Sequence, residues 1–289
     1  MPELPEVEVV KRSLQNLINK SAIKSIRIND PNLRYKINQE EVSKIIGNKI
    51  LKIKRRSKFL IFIFNKKKIM IVHLGMTGKL ILVNKRNIKK KTSFYYKLDE
   101  KNENKHNHII FYFKNSTKLI YNDVRKFGFI KFDNIENIKN NFHLKNLGPE
   151  PLEKYFDFKY FKKNIKNRKK NIKNILMDQK FVSGLGNIYA NEILFFSKIK
   201  PQKKVEKLND SEIKSLVIFT KKILKNAILK GGSSIKNFES GERKIGLFQE
   251  NFKVYGKHGE KCSNSDCKGK IKKIVIAQRA SFYCANCQK

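Results

Sequence analysis

Acidic residues are scarce in this chain. Against 65 lysines and arginines stand only 25 aspartates and glutamates, and the resulting +40 repels itself unless a polyanion or abundant counterions lie close by. Nucleic acid is the partner such a balance suggests. Tryptophan is absent altogether, and 55 of the 65 basic residues are lysine, a bias that an AT-rich genome also produces, so composition alone leaves both readings open. No run approaches the ~20 apolar residues that a membrane span needs, and the opening MPELPEVEVV carries acids where a signal peptide carries bases. The expectation is a cytoplasmic protein with no membrane partner. Cysteine is limited to 4 residues, which in a reducing compartment are thiols or metal ligands sooner than disulfides. There is no internal repeat.

What is present suffices for a folded protein. Hydrophobic residues make up 40% and aromatics 11% of 289 residues, roughly two domains' worth. From about Lys49 to Phe132 short apolar runs alternate with polar turns: ILKIKRR, FLIFIF, IMIVHL, KLILV, HIIFYF, KLIYND and FGFIKF. They read as strands of an antiparallel sandwich or barrel, with hairpin connections at Asn65 to Lys68 and Lys114 to Thr117. A helix precedes them, from Pro5 to about Ile18, with Val7, Val10, Leu14 and Leu17 on one stripe. Lys85 to Asn107 is polar and reads as a loop.

The character changes at Asn146-Leu147-Gly148-Pro149-Glu150-Pro151, where glycine and two prolines interrupt regular structure. Helical patterns follow. The clearest runs from Asp210 to Lys230, with Ile213, Leu216, Val217, Ile223, Leu224 and Ile228 on its apolar face, a capping box at Asn209 and Glu212, and Gly231-Gly232 as its stop. A shorter helix at Ile172 to Lys180 leads through Ser183-Gly184-Leu185-Gly186-Asn187 into another that ends near Ser197. The expected organisation is α+β: residues 1–134 an N-terminal antiparallel β-sandwich with flanking helices, 135–151 a linker, 152–252 a helical domain, and 253–289 a metal-bearing hairpin.

The cysteines carry the strongest chemical signal. Cys262-x4-Cys267, sixteen residues, then Cys284-x2-Cys287 forms two close pairs a hairpin's length apart, and four thiolates satisfy one structural zinc ion with no open position. The strands IKKIVIAQ and SFYC leave Arg279 at or near the turn, either as a planar fork for a phosphate or as a solvated charge. The Ser183 to Asn187 turn offers glycines and a helix N-terminus to an anion, though any connection between helices can require glycine. At the N-terminus, removal of Met1 would leave Pro2 as a secondary amine beside Glu3. An α-amine titrates near pH ~8, so part of it is nucleophilic at neutrality, and its attack on a sugar C1′ gives a cationic iminium that serves as an electron sink. The plain alternative is a proline- and glutamate-rich helix start.

Taken together, Met1-Pro2-Glu3-Leu4-Pro5-Glu6-Val7-Glu8, Arg55-Arg56-Ser57-Lys58-Phe59-Leu60, His73-Leu74-Gly75-Met76-Thr77-Gly78, Gly184-Leu185-Gly186-Asn187-Ile188-Tyr189-Ala190 and Gln278-Arg279-Ala280-Ser281-Phe282-Tyr283-Cys284 resemble bacterial formamidopyrimidine-DNA glycosylase, in the family's order and from end to end. The resemblance implies a β-sandwich joined to a helix-two-turn-helix domain and a β-hairpin zinc finger, with the active site between domains. It implies a monomer that acts on damaged double-stranded DNA, excises 8-oxoguanine and formamidopyrimidines, and cuts the backbone. Pro2 is then the nucleophile and Schiff-base former and Glu3 the general acid/base. Lys58, in its strand position, contacts phosphate or moves a proton during β-elimination, and Arg279 binds the flanking phosphate and supports δ-elimination.

Met76, Arg125 and Phe127 match the family's void-filling residues, and His106, Arg168, Lys173 and Asn187 match backbone-phosphate contacts; for Lys173 a solvated helix face competes. Val124 and Lys126 depart from the proline and arginine common in that motif. The first cysteine pair is spaced by four residues rather than two, a spacing zinc tolerates. SGERKIGLFQ, from Ser240 to Gln249, takes the place of the loop over the flipped base. An endonuclease VIII-type enzyme for oxidised pyrimidines is the near rival, against which Leu4-Pro5 and the Arg125/Phe127 motif speak. A DNA-binding protein that has lost catalysis is the more distant one.

Overall fold

The structure, a computed structural model, describes residues 1–17, 21–84, 89–91, 104–232 and 251–289. The expected Ser240 to Gln249 segment lies outside them, as does most of the Lys85 to Asn107 loop. The chain forms two compact units, Met1–Lys145 with Lys230–Gln249, and Asn146–Leu229 with Glu250–Lys289. The division falls at the glycine- and proline-rich stretch, with residues 135–145 grouped with the first unit.

The first unit opens on α1 (Leu4–Leu17), whose Val7, Val10 and Leu14 are fully buried, and also holds the short α2 (Gln39–Ser43). Two antiparallel sheets follow. One takes β2 (Ile50–Arg56), β3 (Phe59–Phe64), β4 (Lys68–His73) and β9 (Phe129–Asn134) in that order. The other is ordered β1 (Ile23–Ile28), β7 (Asn107–Phe113), β8 (Lys118–Asn122), β5 (Lys79–Val83) and β6 (Lys89–Lys91).

Because side chains alternate along a strand, Leu60, Phe62 and Phe64 of β3 share one core with Leu80 and Leu82 of β5 and with Ile109 and Phe111 of β7. Val7, Val10 and Leu14 of α1 close the same core. All seven expected strands are present. The hairpins at Asn65 to Lys68 and Lys114 to Thr117 turn through left-handed residues, Lys66 and Lys67 (φ 57° and 58°) and Ser116 (φ 62°).

Three elements differ from expectation. Strand β1 was not anticipated, because IKSIRI sits at a sheet edge and only Ile23 is buried among its alternating positions. β6 lies within the expected loop as an all-lysine strand paired with β5. Lys58 stands not in a strand but in the turn joining β2 and β3, after Ser57 at φ 55°.

The second unit contains α3 (Phe158–Ile165), α4 (Ile172–Met177), α5 (Asn187–Phe196) and α6 (Asp210–Leu229), followed by the hairpin β10 (Ile271–Ile276) and β11 (Arg279–Cys284). The capping box of α6 is reciprocal: the Asn209 N–H donates to Glu212 at 3.0 Å and the Glu212 N–H to Asn209 at 2.9 Å. Gly231, at φ 79°, stops the chain just beyond the helix. Helix α5 is buried from Ile188 to Phe195, including Asn191 and Glu192, and these two and the half-buried Asn187 face hydrogen-bond partners.

Candidate active site and zinc centre

In the first unit, α1 presents the N-terminal dipeptide. Glu6, one turn in, accepts the Glu3 N–H at 2.9 Å, and Pro2, Glu3 and Glu6 are all buried. Two residues on, Glu8 ties the helix to the hairpin that carries Lys58. Its carboxylate accepts Arg55 Nε at 2.9 Å, and Arg55 Nη1 donates to the Ser57 carbonyl at 2.9 Å. Burial works against the ionised form of Glu8, but hydrogen bonds from Lys11 and Arg12 and the charge of Arg55 outweigh it and hold the group below the usual carboxylate range. Lys58 itself is 7% exposed, so its ammonium is held by the fold rather than trailing in solvent.

Beside these elements lies a cavity of about 590 Å³ lined by Met1, Arg34, His73, Gly75, Met76, Arg125, Lys126 and Phe127. The volume suits a small-molecule-sized guest. Met76, Arg125 and Phe127, which are 49 or more residues apart across the two motifs, thus converge on one space with the residue whose removal frees the Pro2 nitrogen. The Arg125 guanidinium lies 4.5 Å over the Phe127 ring.

Gly75 and Gly128 allow the two loops to meet. A Cβ on Gly75 would stand 2.4 Å from the Gly128 nitrogen, and one on Gly128 would stand 1.8 Å from the Tyr121 hydroxyl. In the turn that holds Val124 and Lys126, Lys126 stands at φ 55° with its Nζ 2.6 Å from Asp30. His106, in the short turn before β7, accepts the Asp123 N–H on its carbonyl at 3.1 Å.

His73 and Arg34 are cavity residues to which sequence reasoning gave no role. The His73 ring packs against Phe59 and Phe129 with centroids 5.0 and 5.5 Å away, and its Nδ1 accepts the Gly75 N–H at 3.1 Å. Desolvation, then the charges of Lys58, Arg34 and His143, lower its pKa to about 4, so the ring is neutral at physiological pH. A polar residue ending the apolar run IMIVH, directly before a glycine turn, was the available signal. Arg34 sits in a loop and had none.

In the second unit, the turn from Ser183 to Asn187 is clamped by Gln179, which accepts the Gly184 N–H at 2.8 Å and donates to the Leu185 carbonyl at 2.7 Å. Asn187 at the start of α5 donates to the Ala280 carbonyl at 3.0 Å. Arg168 pairs with Asp178 at 3.6 Å and lies 5.6 Å over the Phe181 ring. Arg279, exposed, is the first residue of β11, just past Ala277 and Gln278, which turn the hairpin at φ 48° and 59°.

Lys173 corrects its expectation. It is 0% exposed, neither on a solvated face nor at a surface where it would meet a phosphate. Its ammonium donates to the Ala280 carbonyl at 3.0 Å and to Ser281 Oγ at 2.6 Å, because α4 packs its N-terminal turn behind β11.

The four cysteine sulfurs lie within 4.8 Å of one another, with Cys262 to Cys287 at 3.7 Å and Cys267 to Cys284 at 3.6 Å. These separations are too long for a disulfide, whereas sulfurs ~2.3 Å from a tetrahedral zinc stand about 3.8 Å apart. Burial, reinforced by hydrogen bonds to the other three cysteines, pushes the Cys262 thiol up to about 12, so it stays protonated alone and four thiolates at this spacing require a cation. The Asn264 amide and the Gly269 N–H donate to Cys287 and Cys267 at 3.1 and 3.4 Å, bonds that orient the sulfurs and stabilise their negative charge. The donor set fits one structural zinc ion and leaves it no open position.

Comparison with known proteins agrees along the whole chain. Residues 1–130 match the formamidopyrimidine-DNA glycosylase N-terminal domain, 147–239 the formamidopyrimidine-DNA glycosylase H2TH domain, and 259–289 the zinc finger found in FPG and IleRS. A formamidopyrimidine-DNA glycosylase of Rickettsia bellii is 40% identical over 290 residues and one of Roseobacter denitrificans 36% over 291, each covering 100% of both chains. Among solved structures, a Lactococcus lactis FPG variant in complex with a Fapy-dG containing DNA superposes with a TM-score of 0.84 at 36% identity, covering 100% of both chains. The Lactococcus lactis Fpg in complex with an abasic site containing DNA gives a TM-score of 0.84 at 36% identity over 99% of each chain.

Proposed function

The chain belongs to the formamidopyrimidine-DNA glycosylase family, and from that premise we propose that it excises oxidised purines from duplex DNA through Pro2 and then nicks the strand. The observation that supports the assignment of residues is one cavity gathering Met1, Met76, Arg125 and Phe127, in the same unit as buried Glu3 and Lys58. Extruding a base costs a few kcal/mol and leaves a gap in the stack. Met76 and Phe127 fill the gap as flexible and rigid wedges, and Arg125 hydrogen-bonds the orphaned opposite base.

With Met1 removed, the Pro2 nitrogen attacks C1′ as Glu3 protonates the sugar ring oxygen, the ring opens and the base leaves with its electron pair and a proton. The iminium that remains, necessarily cationic on a secondary amine, accepts electrons when a C2′ proton is taken and the 3′ phosphate departs. Lys58 serves that proton transfer, and a second elimination releases the 5′ phosphate with Arg279 on the flanking phosphate. His106, Arg168 and Asn187 hold the DNA backbone. Lys173 acts from behind β11 by fixing Ala280 and Ser281 next to Arg279. The enzyme works as a monomer in the bacterial cytoplasm, held on DNA by its lysine excess, a salt-sensitive attraction.

The test is borohydride trapping on duplexes carrying 8-oxoguanine, an oxidised pyrimidine or an abasic site. An adduct with 8-oxoguanine and the abasic site, lost in Pro2→Gly at unchanged zinc content, is the expected result. No adduct with any duplex refutes the enzyme reading, and an adduct with the pyrimidine lesion alone selects the endonuclease VIII-type rival.

A further inference from the structure

Most of the cavity lining comes from two loops that are distant in sequence, and one buried carboxylate joins them. Asp123 is 0% exposed. Its Oδ1 accepts the Thr77 hydroxyl and the Arg125 N–H, the latter at 3.2 Å. Its Oδ2 accepts the Gly128 N–H at 2.8 Å, with the Tyr121 hydroxyl 3.5 Å away. The Thr77 oxygen also accepts the Arg125 N–H, at 3.0 Å, so this one hydroxyl donates to Asp123 and receives from Arg125 at once. Thr77 follows Met76 directly in the chain, while Asp123 and Gly128 bracket Arg125 and Phe127.

We propose that Thr77 and Asp123 are positioning residues that lock the Met76 loop to the Arg125–Phe127 loop, so that the three side chains enter DNA as one preformed wedge. The proposal rests on the void-filling role given to those three residues above. Its physical content is preorganisation. Two loops hinged separately would have to be ordered at each encounter with a lesion, whereas loops already bonded through a buried carboxylate arrive in the inserting arrangement. Burial of Asp123 leaves no water to replace a lost donor. The backbone agrees, since Phe127 and Gly128 approach Gly75 so closely that a Cβ there would stand 2.5 and 2.4 Å from them.

The decisive variants are Thr77→Val, which keeps the shape and loses both hydrogen bonds, and Thr77→Ser, which keeps both. Two substrates separate insertion from chemistry: an 8-oxoguanine duplex, which must be opened and filled, and a single-stranded oligonucleotide with an abasic site, which has no opposite base and no stack to fill. In Thr77→Val, single-turnover excision from the duplex should fall about tenfold or more, nicking of the single strand should match wild type, and Thr77→Ser should restore the duplex rate. Wild-type duplex excision in Thr77→Val, equal losses on both substrates, or equal behaviour of the valine and serine variants would each overturn the proposal. Wild-type protein that fails to nick or trap on the abasic strand would instead overturn the underlying assignment of function, whatever the variants do.

Discussion

Replacing Lys173 by methionine separates a buried anchor from a DNA contact. The ammonium donates to the Ala280 carbonyl at 3.0 Å and to Ser281 Oγ at 2.6 Å. Bonds from a charged donor contribute about 1.5–3 kcal/mol each. Opposing them, a buried ammonium carries a desolvation penalty of several kcal/mol, which methionine of similar length removes. Ala280 keeps the Asn187 amide at 3.0 Å, and Ser281 Oγ keeps the Arg279 carbonyl at 3.3 Å. The net change therefore stays within about 2 kcal/mol, a melting shift of a few degrees.

Binding to a non-cleavable abasic-analogue duplex is then measured by anisotropy across a salt series. Each phosphate contact contributes about 0.9 to the slope of log K against log salt. Because Lys173 is 0% exposed, Lys173→Met should leave the slope unchanged, whereas Arg279→Ala should reduce it by about 0.9. A slope reduced by that amount in Lys173→Met, with the melting temperature unmoved, would refute the burial argument.

Three further outcomes follow from the same geometry. His73 has a folded pKa of about 4 against an unfolded value near 6.5, so the unfolded state takes up the proton first; roughly 3 kcal/mol of stability, present above pH ~6.5, should fade as pH drops toward 4. Denaturant unfolding between those limits should show that slope in wild type and not in His73→Gln. For Glu8, whose folded pKa is lowered, the stabilising contribution is present above the unfolded glutamate value and lost as pH falls through the folded one; the stability gap between wild type and Glu8→Gln should close in acid, and a constant gap would contradict it. Cys267→Ser or chelation should release the zinc and, since structural zinc supplies ~10–16 kcal/mol in small fingers, unfold the β10–β11 hairpin. Zinc analysis together with hydrogen exchange over 259–289 checks this.

Much of the architecture was legible because the sandwich strands announce themselves as apolar runs between polar turns. Strand β1 did not, since at a sheet edge Lys24, Ser25 and Arg27 dilute the alternation that marks a half-buried strand. β6 is invisible to any hydrophobic pattern, being three lysines. The zinc ligands were readable from spacing because four sulfurs on a hairpin have few other uses. Lys173 was not, because what decides its environment is a pair of acceptors 107 and 108 residues away, and helix periodicity reports which face is apolar but not which cation will be sealed beneath a later strand. The same limit hid the Lys58 turn: RRSKFLIFIF reads as continuous strand until Ser57 takes a left-handed backbone.

Helix α5 turns three polar side chains toward the finger. Asn187 donates to the Ala280 carbonyl, Asn191 accepts the Phe282 N–H at 2.8 Å, and the buried Glu192 accepts three N–H groups, from Lys253, Val254 and Tyr255, at 2.8, 3.0 and 2.9 Å. A finger bonded in this way is not a detachable module. Its backbone completes the hydrogen bonding of a helix that would otherwise bury polar groups unpaired, so helix and hairpin open and close as one cooperative unit. Metal occupancy at the cysteines is thereby felt at the Ser183 to Asn187 turn, and a finger grafted onto another helix would lose the hydrogen bonds that Asn187, Asn191 and Glu192 supply.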